Sequence, residues 1–210
     1  MTTHDYSATH TAVLLIDPYN DFLSEGGKLA GPAKEVADAV GTVEHMRNVV
    51  AAARAAGIRI IYVPHHRALP TDFEGWMHAT PYQLGAAKMQ VFAEGSWGGE
   101  WHPDFIPQPG DVIAKEHWSS SGFANTDLDF QLKQHGIQRV VLIGLLANTC
   151  LESTGKFAAE LGYHVTLVRD ATAAFSPLAM KCAHEINGPT FAHAILSTAE
   201  LLAKFQPAAA

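Results

Sequence analysis

The chain has 210 residues, 48% of them hydrophobic and 17% charged, with a formal net charge of −7. That is enough apolar material for one substantial core, and the acidic balance leaves no electrostatic footprint for nucleic acid or for an anionic membrane surface. Two cysteines, Cys150 and Cys182, make no disulfide framework, and no Cys/His spacing resembles a zinc site; a reducing, cytoplasmic setting without a cofactor is the expectation.

In chain order, a strand is predicted at 12–16, a helix at 34–56, strands at 58–63 and 112–115, a helix at 126–135 and a strand at 140–144. A helix at 153–161, a strand at 163–168, a helix at 177–186, a strand at 193–196 and a helix at 198–205 complete the chain. Gly57, Gly136 and Gly162 each end a helix and lead straight into a strand. This alternation predicts an α/β fold over residues 1–210 as a single domain. Its form is a three-layer, Rossmann-like, doubly wound and mainly parallel six-stranded sheet with helices on both faces, not an eight-stranded barrel. No Gly-x-Gly-x-x-Gly follows the first strand, so nothing supports dinucleotide binding. Residues 1–7 lack the basic-then-apolar pattern of a signal peptide, and the apolar runs fall far short of the roughly 20 residues of a membrane helix.

Chemistry concentrates at three strand ends. Cys150 stands in Gly144-Leu145-Leu146-Ala147-Asn148-Thr149-Cys150-Leu151, between an apolar strand and a helix start. There the helix dipole and unpaired backbone N–H groups favour a thiolate, although an inert buried cysteine is the commonplace alternative. Asp17 closes the first strand and Lys115 the third. Ligands of open α/β sheets bind outside the carboxyl ends of the strands. An acid, an amine and a thiol therefore share one crevice, with Asp17 able to take the thiol proton and Lys115 to stabilise both anions. Taken singly, Asp17 could as well cap the next turn and Lys115 reach solvent.

The runs Leu14-Leu15-Ile16-Asp17-Pro18-Tyr19-Asn20-Asp21-Phe22, Ile113-Ala114-Lys115 and Gly144 to Thr154 resemble the isochorismatase-like cysteine hydrolase superfamily, from about Thr11 to about Phe205. The resemblance implies Cys150 as nucleophile, Asp17 as general base and Lys115 as third member of a triad. It also implies a cis peptide between Leu145 and Leu146, with the Leu146 and Cys150 N–H groups forming an oxyanion hole, and a homo-oligomer, dimer or tetramer. The activity implied is hydrolysis of a small amide, carbamoyl or ureido compound through a thioester. The alternatives are an isochorismatase-type vinyl ether hydrolase or a silent small-ligand binder. Tyr19 stands where the family often has Gln, which points to a differently shaped pocket.

Residues 64–110 are rich in Pro, Gly and aromatics and long for a simple connection. Trp97 and Trp101 are expected to wall the pocket or a subunit interface, or else to pack under the loop. Tyr19 and Phe22 after the first strand, and His117, Trp118 and Phe123 after the third, are the other candidate substrate contacts. The segment from His117 to Leu128 resembles one carried by ureido and carbamoyl amidohydrolases of the family. His65 and His66 fall where nicotinamidases of the family bind a metal, but the Asp-x-His order is missing and adjacent residues of an extended chain point opposite ways, so no metal site is predicted.

Overall fold

The computed structural model describes residues 6–205. The ends of the expected 1–210 span, and most of the stretch examined for a signal peptide, lie outside the described residues. Six strands form one sheet: β1 Thr11–Ile16, β2 Arg59–Val63, β3 Val112–Ile113, β4 Arg139–Leu145, β5 His164–Ala173 and β6 Ala194–Leu196. Every pairing is parallel, in the order β3-β2-β1-β4-β5-β6.

The continuous apolar runs of β1 and β4 follow from burial on both faces. Val13, Leu15, Val141 and Ile143 project into one core, while Ala12, Leu14, Ile16, Val140 and Leu142 project into the other. Helices α2 (Ala30–Val40) and α3 (Thr42–Ala55) cover the first face through Ala33, Val36, Met46, Val49 and Ala53. A short α1 (Asn20–Leu23) precedes them. The single helix expected at 34–56 is thus two, because Gly41 turns the chain at φ 69°. Further along come α4 (Pro81–Met89), α5 (Leu128–Gln134) and α6 (Glu152–Glu160). Leu128, Leu132 and Ala158 of α5 and α6 cover the second face. The last helices are α7 (Pro177–Lys181), continued by a π-helical turn Cys182–Asn187, and α8 (Thr198–Leu202). No helix among the described residues is long and apolar enough to cross a membrane.

The chain winds outward in one direction from β1 to β3 and in the other from β4 to β6, so the crevice lies at the carboxyl ends of β1 and β4. Gly144 lets these two strands end side by side. Its φ is 117°, and a Cβ there would collide with the Ile16 carbonyl oxygen. The Leu145–Leu146 peptide that follows is cis.

Strand β3 is shorter than the expected 112–115. Its ladder to β2 runs through Tyr62↔Ile113, and the Ala114 N–H donates to the Tyr62 carbonyl. An unbroken parallel ladder would next bring the Glu116 N–H to the Pro64 carbonyl. The His117 N–H takes that bond instead, and His65 pairs with His117. One extra residue has entered the β3 side, a bulge beside a proline that has no N–H with which to hold the register.

Candidate active site

Asp17 follows β1 with a positive φ of 51° and is fully buried; its N–H is held by the Val63 carbonyl at 3.2 Å. One carboxylate oxygen, Oδ1, lies 3.1 Å from His117 Nε2. The other, Oδ2, is buried without a hydrogen-bond partner. Cys150 sits in a π-helical turn, Ala147–Leu151, that runs from the end of β4 into α6. Ligand atoms of Asp17, His117 and Cys150 all fall within 4.8 Å of one another.

The bulge decides which side chain joins this group. Ile113 and Lys115 share the outward side of the edge chain and are exposed, and the Lys115 backbone N–H donates to Asp127 Oδ1 at 2.7 Å. The expected Lys115 therefore does not reach the site. His117, two residues on and read from sequence as a substrate contact, lies fully buried against Asp17. Its Nδ1 faces the Ser119 carbonyl at 2.8 Å, an acceptor only, so Nδ1 carries a proton. Nε2 faces a carboxylate and carries another. Burial alone would lower the pKa of His117, but the charge and hydrogen bond of Asp17, with Ser119, outweigh it and hold it above the ordinary value. The cation expected from a lysine is supplied by an imidazolium.

The thiol also departs from expectation. Burial first, then the negative charge of Asp17 and the thiol's own approach to that carboxylate, push Cys150 well above the ordinary thiol range; Thr149 Oγ1 at 3.8 Å and the Leu146 N–H pull the other way without prevailing. The helix start does not leave a resting thiolate, because Cys150 is only 7% exposed and its sulfur shares an enclosure with a carboxylate. The site rests as a protonated thiol beside an unpaired carboxylate oxygen.

A narrow cavity opens onto Asp17 and Cys150, about 660 Å³ counted out to its mouth. Of the predicted contacts, Phe22 and Trp118 line it. Tyr19 does not: it is fully buried, its hydroxyl donates to the His65 carbonyl at 2.9 Å, and Trp101 stacks on it at 5.0 Å. Trp101 is thus a support behind the site. Trp97 is half exposed and away from the cavity, its carbonyl accepting from Asn20 Nδ2 at 2.9 Å. Phe123 packs into the core on the α5–α6 face, 6.0 Å from the Tyr163 ring.

Several cavity residues escaped the sequence reading: Asp72, Phe73, Tyr82 and the α4 wall. Helix α4 lies inside the segment 64–110 and starts at a capping box, Thr80 with Gln83, with Pro81 in its first turn. That signature was available in the sequence. Asp21 ties the segment down, its carboxylate accepting from the Lys28 N–H at 3.0 Å and the Phe92 N–H at 2.7 Å.

His65 and His66 turn to different partners. His65 Nδ1 donates to the His66 carbonyl at 2.9 Å, which leaves Nε2 an acceptor; burial lowers its pKa, so the ring is neutral. His66 lies between Asp72 at 2.9 Å and Glu116 at 3.4 Å. Among the described residues, the one group able to offer three metal ligands is Asp17, His117 and Cys150. It would close on an ion only if His117 gave up its Nε2 proton and its bond to Asp17.

Residues 11–199 match the isochorismatase domain family. The ureidoacrylate amidohydrolase of Caulobacter vibrioides is 31% identical over 210 residues, covering 93% of this chain and 91% of its own length. A cysteine hydrolase of Pseudomonas syringae superimposes with a TM-score of 0.78 at 24% identity, over 95% of this chain and 93% of that one, a likeness of fold. The N-carbamoylsarcosine amidase of Thermoplasma acidophilum does so at 0.65 and 28%, over 90% and 96%. With a six-stranded parallel sheet, a buried thiol at its switch point and a family match across nearly all of the described residues, the chain is a hydrolase of the isochorismatase family.

Proposed function

We propose that the chain hydrolyses a small amide or ureido compound by covalent catalysis at Cys150, with Asp17 as proton carrier and His117 as the fixed cation. The observation that carries this is the division of labour on Asp17: Oδ1 is bound by His117, while Oδ2 is buried, unpaired and free to accept the thiol proton. Relatives named as ureidoacrylate amidohydrolase and N-carbamoylsarcosine amidase support an amide or ureido carbonyl as the group attacked; what the rest of the substrate carries is a separate matter of the cavity lining.

The raised thiol pKa sets the order of events. The proton stays on sulfur until a carbonyl carbon is in reach; then it passes to Asp17 as the S–C bond forms. The carbonyl oxygen becomes an oxyanion near the Leu146 N–H, already aimed at the sulfur, and the Cys150 N–H. Collapse expels the amine, which takes the proton from Asp17. A water then attacks the thioester, giving one proton to the same carboxylate; the C–S bond breaks, the sulfur takes that proton from Asp17, and the acid leaves a free thiol behind. His117 stays charged throughout and holds Oδ1 of Asp17 in place between steps.

Ammonia release from a panel of primary amides and ureido compounds, compared between wild type and Cys150→Ala, tests the scheme. Release that vanishes in Cys150→Ala and in Asp17→Asn is expected. Release that persists in either variant overturns it.

A further inference from the structure

We infer that the cavity selects an uncharged substrate with an apolar body and rejects amides that carry a carboxylate. This rests on the amidohydrolase reading only for which end of the substrate meets Cys150. The lining is largely apolar: Phe22 and Phe92, 4.9 Å apart, Phe73 and Trp118, 6.2 Å apart, and Ala86 and Ala87 of α4, with Tyr82, Gln83 and Ser120 among the uncharged polar groups.

What the walls lack is a cation for an anionic substrate. Among the described residues, no lysine or arginine lines the cavity. Of its three histidine neighbours, His65 is neutral, and the other two are engaged. His117 donates to Asp17 and Ser119. His66 is held between the Asp72 and Glu116 carboxylates, and its ring stacks on Trp118 at 3.6 Å. Arg67, next in sequence, turns the other way. Its Nε donates to the Gly99 carbonyl at 3.0 Å, its Nη1 lies 3.4 Å from Glu116, and its guanidinium sits over the Tyr19 and Trp101 rings.

The fixed charges bordering the cavity thus cancel, and the carboxylates among them, Asp17 and Asp72, face an incoming anion. A substrate carboxylate would exchange its water for uncharged donors such as Tyr82 and Ser120, with no cation to balance its charge. An apolar body loses nothing comparable and gains the contact of the aromatic walls. Unpaired polar groups discriminate more steeply than shape does, so the preference should be about 100-fold.

Calorimetric binding to Cys150→Ala, repeated with Cys150→Ser to guard against local collapse, reads the cavity without the chemistry. Phenylacetamide and isovaleramide are expected to bind about 100-fold more tightly than succinamate and 3-ureidopropionate. Equal or tighter binding of the carboxylate pair, or no measurable binding of the uncharged pair, overturns the inference. Wild-type ammonia release on the same four compounds reads the chemistry separately. If the uncharged amides bind preferentially yet none is cleaved, the amidohydrolase reading fails while the selectivity stands.

Discussion

The ends of β4 and β3 bring one residue each to the site, and they do so under different constraints. Strand β4 is central: its ladder to β1 keeps one register up to Ile16↔Gly144, and β5 pairs on its other side, with a register shift between Leu142 and Gly144. Strand β3 is a two-residue edge, paired only with β2, and next to Pro64 it takes in one extra residue. In a strand a slip of one residue exchanges the faces. The loop after β4 accordingly carries Cys150 to the crevice as its sequence position suggests, whereas the edge presents His117 and leaves Lys115 in solvent. Position in a sequence reads as position in space where a ladder keeps its register to the strand end, as that of β4 with β1 does and that of β3 with β2 does not.

The comparison breaks most sharply at Cys150. Cys150→Ala should lower turnover by about 10⁴-fold with the unfolding temperature nearly unchanged, since the site loses its nucleophile but little packing. Next is His117. His117→Gln keeps a donor to Asp17 without the charge and should cost about 10²–10³-fold in kcat. His117→Ala strips a buried carboxylate of its partner and should also destabilise the fold by about 3–5 kcal/mol, measured by denaturant unfolding. The pH dependence has a defined sign. The folded-state pKa of His117 is raised, so its contribution to stability is complete below about 6.5 and is lost as pH climbs through the raised value. Wild-type activity should fall on that alkaline side, and His117→Gln should lack the limb. At the β4 end, Gly144→Ala forces a side chain into a left-handed conformation against the Ile16 carbonyl. A loss of about 2 kcal/mol or more in unfolding free energy is expected.

Six strands, their alternation with helices and the placing of Asp17 and Cys150 were legible because burial writes β-branched runs and helix-ending glycines into the chain. The split at Gly41 was legible in principle and was passed over, since a glycine within apolar helical spacing reads as a tolerated interruption until its φ is known. The third member of the site was not legible. Lys115 and His117 would share one side of a regular extended chain, and the bulge that turns His117 alone inward is one that pattern does not report. The thiol's raised pKa was hidden for a related reason: a helix start signals an anion site, but enclosure with Asp17 opposes it, and enclosure belongs to tertiary packing. Tyr19, Trp101 and Phe123 look like pocket aromatics because they flank the motifs; their burial against one another or in the core is likewise a matter of packing.

The smallest expected effect is the most discriminating. Lys115→Ala removes an exposed ammonium, while the backbone N–H that binds Asp127 remains. Turnover should stay within about twofold and stability within about 0.5 kcal/mol, as for other surface substitutions. A lysine acting in the triad would instead cost about as much as His117→Gln. If Lys115→Ala were the damaging change and His117→Gln the silent one, the edge chain would have to turn Lys115 inward when substrate binds, a larger change than loss of the bulge, which would face Glu116 inward and swing His117 off Asp17. Measured side by side, the two variants therefore report whether the weakly held edge of the sheet keeps its resting register, with His117 on the carboxylate, while the enzyme works.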